Sequence, residues 1–139
     1  MRAVVGCEDG VYTVEIGANA DEDELVDREE GGAVARSRPL ELVPPWAAGQ
    51  ALDVAAGGAT IVLLVDRRPP LLVSHDTGAT WTQRGSGLPS GRAVALGENT
   101  DDVLFAAQNR VYVSRDGGVF WRALAIELPE IRDLAWGEA

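Results

Sequence analysis

Ser74, His75 and Asp76 place a hydroxyl, an imidazole and a carboxylate side by side, the parts of a nucleophilic relay for acyl transfer. Their order in the chain argues against that chemistry. Neighbouring residues on a strand point to opposite faces, so three in a row cannot line up a hydroxyl, its base and the base's orienting acid. The arrangement also recurs 40 positions later as Ser114, Arg115 and Asp116, with a guanidinium where the base would be. No catalytic residue is assigned, and the balance is against an enzyme. Arg92 and Arg132 are also 40 positions apart. Two guanidiniums meeting at one rim would recognise a small anion, because their planar forks match carboxylate and phosphate oxygens. The competing reading is that these arginines merely belong to the repeat. Cys7 and His75 are each the sole residue of their type, which removes a Cys/His zinc site within one chain. The acids of positions 17 to 32 do not read as a calcium loop, since Leu25 and Val26 fall where an EF-hand needs an oxygen ligand and a glycine. No metal and no cofactor are expected.

The elements that hold these residues follow from the repeat. The stretch Ser74-His75-Asp76-Thr77-Gly78-Ala79-Thr80-Trp81 returns as Ser114-Arg115-Asp116-Gly117-Gly118-Val119-Phe120-Trp121. Each octet lies between an apolar run, Leu71-Leu72-Val73 or Val111-Tyr112-Val113, and a short outgoing segment, which is the pattern of a hairpin turn. Gly78 and Gly118 suit positive φ, and Asp76 and Asp116 can accept from main-chain N–H groups exposed where the chain reverses. Trp81 and Trp121 then start the outgoing strands and pack against the turn. Ser74, Asp76, Gly78, Trp81, Ser114, Asp116, Gly118 and Trp121 are therefore assigned a structural role.

The pattern Ser-x-Asp-x-Gly-x-x-Trp resembles the Asp-box of BNR-type β-propellers, found in sialidases, sortilin-like receptors and photosystem assembly factors. Position 80 holds the usual Thr, whereas position 120 is Phe. The likeness extends to Gly91–Leu96 with Val103–Ala107 and covers about positions 50 to 136. It implies an all-β propeller of four-stranded blades, with the box at the blade periphery, away from any catalytic centre. A sialidase-like glycoside hydrolase would need several converging arginines and a Tyr-Glu pair. Only Tyr12 and Tyr112 are present, both on strands expected to lie away from the channel.

Three blades are expected. The second blade (46–89) reads as strands Ala51–Ala55, Ile61–Val65, Leu71–Ser74 and Trp81–Arg84, and the third (90–129) as Ala93–Leu96, Val103–Ala107, Val111–Ser114 and Trp121–Leu124. The N-terminal segment (1–45) supplies Ala3–Cys7, Val11–Ile16 and an outer strand at Ala33–Arg36, with an acidic insertion at 17–32 where a first octet would stand. Within the insertion, Asn19 and Glu22 could cap a short helix ending near Gly31. The final segment (130–139) supplies one more strand, Ile131–Trp136, which completes the N-terminal blade. Three blades fall short of the ~four to eight of a closed propeller. A homodimer forming a six-bladed ring is expected, with Ile131–Trp136 of each chain pairing with Ala3–Cys7 of the other.

Composition narrows the function classes. Twenty-two acids face 12 basic residues, all arginine, for a net charge of −10, which excludes a nucleic-acid surface. Lys-free acidity also suits a high-salt interior. The longest near-apolar run, Val54–Val65, contains Gly57-Gly58 and is too short for a membrane span, and the N-terminus lacks a signal-peptide core. A cytoplasmic, non-catalytic scaffold is expected, binding itself or another protein. The alternative is a binder of a small anion or sugar at the channel mouth, through Arg92 and Arg132.

Overall fold

The computed structural model describes residues 1–36 and 38–137. It contains twelve strands: β1 (Arg2–Cys7), β2 (Gly10–Glu15), β3 (Glu24–Glu30), β4 (Ala51–Gly57), β5 (Thr60–Val65), β6 (Leu71–Ser74), β7 (Thr82–Arg84), β8 (Ala93–Leu96), β9 (Val103–Ala106), β10 (Arg110–Ser114), β11 (Arg122–Glu127) and β12 (Ile131–Gly137). They form three four-stranded antiparallel sheets: β12-β1-β2-β3, β4-β5-β6-β7 and β8-β9-β10-β11, called here the first, second and third. The fold is all-β. The only helical elements among the described residues are single 3-10 turns at Ala20–Glu22, Leu40–Leu42 and Pro45–Ala47.

The strand β5 shows how sequence sets position. Its six residues, Thr-Ile-Val-Leu-Leu-Val, are all buried, as a β-branched and aliphatic run must be when both faces of its sheet are covered. Leu64 faces a core shared with the third sheet, alongside Val94, Val103 and Phe105. Leu63 faces the opposite way, into a core with Val54, Leu72 and Ala47, covered by Leu42 and Val43 of the segment leading into β4. A third core joins the first and third sheets through Val5, Val14, Leu104, Leu124 and Leu134. The third sheet is thus packed on both faces, and Phe105 at its centre has edge contacts with Tyr112 and Trp121 at ring distances of 5.9 and 6.0 Å. Gly91 permits this closeness, because a Cβ there would lie 2.6 Å from Phe105 Cε2 and 2.7 Å from Leu64 Cδ1.

Three expectations are corrected. The outer strand of the first sheet is β3, inside the acidic insertion, and not Ala33–Arg36, which is irregular. All seven residues of β3 are exposed, so it needs no apolar alternation, and its charges suit a sheet edge. Asn19 does cap a helix through its side chain, which accepts from the Asp21 N–H at 3.0 Å, but the helix is one 3-10 turn ending at Glu22. Finally, β12 pairs with β1 of its own chain, with Arg2 opposite Gly137 and Val5 opposite Leu134, where pairing between chains was expected. Residues 138 and 139 of the segment assigned to closure lie outside the described residues.

Candidate functional site

Each octet is a compact hydrogen-bond unit. Ser74, at the end of β6 and 1% exposed, donates from Oγ to Asp76 Oδ1 at 2.7 Å and accepts from the Gly78 N–H at 2.8 Å. Asp76 also accepts from the Thr80 N–H at 2.8 Å and from Thr80 Oγ1 at 2.6 Å. Trp81 closes the turn by donating from Nε1 to the Gly78 carbonyl at 3.1 Å. The second copy repeats these bonds through Ser114, Asp116, Gly118 and Trp121, but Phe120 has no hydroxyl to offer and is itself 78% exposed. Hydrogen bonds from the Thr80 hydroxyl and N–H and from Ser74 hold the Asp76 carboxyl down at about 2. Asp116 is also lowered, first by the Phe120 N–H, against partial burial and with help from Ser114. Gly78 and Gly118 have φ of 89° and 94°, and the residues before them, Thr77 and Gly117, are left-handed too at 58° and 76°. His75 turns away from Ser74, with Nδ1 3.2 Å from Thr60 Oγ1, so serine, imidazole and carboxylate form no relay.

A second cluster lies where β4, β8 and β12 approach one another. Arg36, on the irregular segment after β3, has a side chain only 10% exposed. Its Nη1 donates to the carbonyls of Val94 on β8 and Leu134 on β12 at 2.8 and 3.0 Å, and its Nη2 donates to the Val54 carbonyl on β4 at 3.2 Å and to Asp53. The fully buried Asp53 carboxylate also accepts the N–H groups of Val54 and Val94, each at 2.9 Å, and so ties β4 to β8. Asp133 on β12 holds the Leu134 N–H at 2.9 Å and stands 3.1 Å from Arg36 Nη1. One cation therefore reads three strands, with a carboxylate on two of them. A cavity of about 450 Å³ adjoins Arg36, walled by Ala55, Val94, Leu96, Leu134 and Trp136.

Asp23 performs a similar service between the first and third sheets. Its buried carboxylate accepts from Arg122 on β11 at 2.7 Å and from the N–H groups of Gly17 and Ala125. Burial raises its pKa, and the Arg122 and main-chain hydrogen bonds outweigh that to leave it lowered. Cys7 goes the other way, its thiol pushed up to about 11 by burial and by Asp9 and Glu8.

Arg92 lies just before β8, its N–H bonded to the Ala106 carbonyl at 2.7 Å, and one guanidinium nitrogen is 3.2 Å from Glu130. It lines an open cleft of about 480 Å³ with Arg68, Ser90, Asn109, Arg110 and Tyr112. Arg132 is exposed on β12 and is not among the residues that line that cleft. Arg36, Asp53, Asp133, Asp23 and Arg68 were all missed by sequence reasoning. One signal was present: Asp53 and Asp133 are 80 positions apart, twice the repeat, with Ala93 between them in register.

Among the described residues, no group of three or more His, Cys, Asp or Glu side chains is placed to hold a metal ion, and no helix is long and apolar enough to cross a membrane. Comparison of the chain with family models, curated proteins and solved structures returns no match.

Proposed function

We propose that the chain is a non-catalytic scaffold of β-propeller type, its three sheets serving as blades around the inner strands β4, β8 and β12. The observation that carries this reading is the employment of the conspicuous side chains. Asp23, Asp53, Asp76 and Asp116 are engaged by main-chain N–H groups, hydroxyls and guanidiniums that fix strands and turns. The 40-residue repeat and its turn chemistry support the propeller arrangement, as does the contact of both β4 and β12 with β8.

The homodimer ring belongs to the same proposal. Strand exchange no longer supports it, since β12 is satisfied within its own chain. The support that remains is a set of exposed apolar side chains, Leu40, Trp46, Leu52 and Phe120 among them, exposed by 65, 57, 43 and 78%. Light scattering tests it: a species of twice 14.7 kDa sustains the ring, and one of 14.7 kDa removes it.

A glycosidase reading is tested by incubating the protein with fluorogenic glycosides, sialosides included. The scaffold predicts no turnover above buffer. Turnover that disappears in Arg92→Ala would overturn it.

A further inference from the structure

We propose that the arginine-lined cleft between the second and third sheets binds a small organic oxyanion, a phosphate ester or a polycarboxylate. This goes beyond the scaffold reading, which stands whether or not the cleft is used. The cleft gathers Arg68 from the turn between β5 and β6, Arg92 from the approach to β8, and Arg110 from the start of β10. Three of the protein's 12 basic residues thus share one depression on a molecule of net charge −10. Such a concentration makes a local positive potential that attracts small anions to this one place on an otherwise acidic surface.

The three guanidiniums are committed to different degrees. Arg110 is held from behind, donating from Nη1 to the Leu124 carbonyl at 2.9 Å, with Glu127 3.9 Å from Nη2. Arg92 uses one nitrogen for Glu130. Arg68 makes no hydrogen bond or ion pair among the described residues and is exposed. Ser90, Gln108, Asn109 and Tyr112 surround them with neutral hydrogen-bonding groups. Donors of this kind suit the several oxygens of phosphate or carboxylate.

The repeat itself supplies the strongest argument. Were these residues only an echo of the repeat, the same place one repeat later would carry the same residues. Arg92 does recur as Arg132, but Arg110 corresponds to Gly10, Ser90 to Glu130, Gln108 to Glu8 and Asn109 to Asp9, so the equivalent position between the third and first sheets has one arginine among acids. Arg68 in turn corresponds to Gln108. The cationic cleft is specific to one junction, which turn chemistry does not require.

Isothermal titration at low ionic strength with glucose 6-phosphate, citrate and inorganic phosphate tests the proposal, with glucose as the uncharged control. Saturable binding of a phosphate or carboxylate probe, and none of glucose, is expected, and the preferred probe identifies which oxyanion the cleft takes. Arg68→Gln and Arg92→Gln should each weaken binding by about tenfold, the scale of one lost charge-assisted contact. Glu130→Gln should tighten it by freeing Arg92. Arg132→Gln should leave it unchanged. No saturable binding of any anion would overturn the proposal. So would binding indifferent to Arg68→Gln, Arg92→Gln and Glu130→Gln in variants whose circular dichroism is that of the parent.

Discussion

Replacing Asp53 by Ala removes the acceptor for three donors at once: the N–H of Val54, the N–H of Val94 and Nη2 of Arg36. Both N–H groups belong to buried residues 0% exposed, where an unpaired donor costs about 1–3 kcal/mol. Arg36 keeps Asp133 and three carbonyls, so its charge is only partly orphaned. Taken together the loss should be about 3–5 kcal/mol, the range for breaking a buried ion pair from one side. A domain is stable by only about 5–15 kcal/mol, so the variant should unfold at a much lower urea concentration. Urea titration followed by tryptophan fluorescence measures it. Asp53→Asn retains one carbonyl oxygen and should lose less. The double variant Arg36→Met with Asp53→Leu should recover only the part of the loss that comes from the orphaned guanidinium charge, because the N–H groups of Val54 and Val94 stay unpaired in it. A cost below about 1 kcal/mol for Asp53→Ala would refute the reasoning, since the donors would then be finding water or other acceptors.

Asp76 titrates at about 2, below its ordinary 3.8, so the stability it confers is complete above about pH 4 and is lost as pH falls toward 2. Carbon-detected NMR titration should show its midpoint rising toward the ordinary value in Thr80→Ala, which removes the largest of its stabilising bonds. Thr77, a β-branched residue at φ 58°, should be improved by Thr77→Gly, with about 0.5–1 kcal/mol gained in urea melts after the flexibility of glycine is counted. The charge of −10 should make the melting temperature climb with KCl in scanning calorimetry; a flat or falling trend would remove salt adaptation from the account.

What was legible in the sequence was local. The octets announce themselves because turn chemistry is written in adjacent residues: Ser74, Asp76 and Gly78 act within five positions of one another. Strands β5, β6, β9 and β10 were visible because burial demands apolar runs. β3 was not, since an exposed edge strand of composition Glu-Leu-Val-Asp-Arg-Glu-Glu carries neither alternation nor a run. The positive φ of Thr77 was hidden by its β-branch, although its partner Gly117 hinted at it. The Arg36 cluster depends on contacts 17 to 98 positions apart, of which the repeat marks only the spacing of Asp53 and Asp133 and not the arginine that joins them. The arginine cleft was half seen, because Arg92 repeats as Arg132 whereas Arg68 and Arg110 join it only through packing of one sheet against the next.

The pairing of β1 with β12 places residues 2 and 137 side by side on antiparallel strands. Tension applied to the two ends would act across that pair, at the same end of the sheet, and would open its ladder one bond at a time instead of shearing all of it together. The first sheet would therefore peel at low force, exposing Val5 and Leu134, while the third sheet, whose strands lie between residues 93 and 127, bore load only afterwards. A covalent turn of roughly two to five residues from 137 to 2 would convert the peeling edge into a hairpin. The place where the molecule yields first would then move elsewhere.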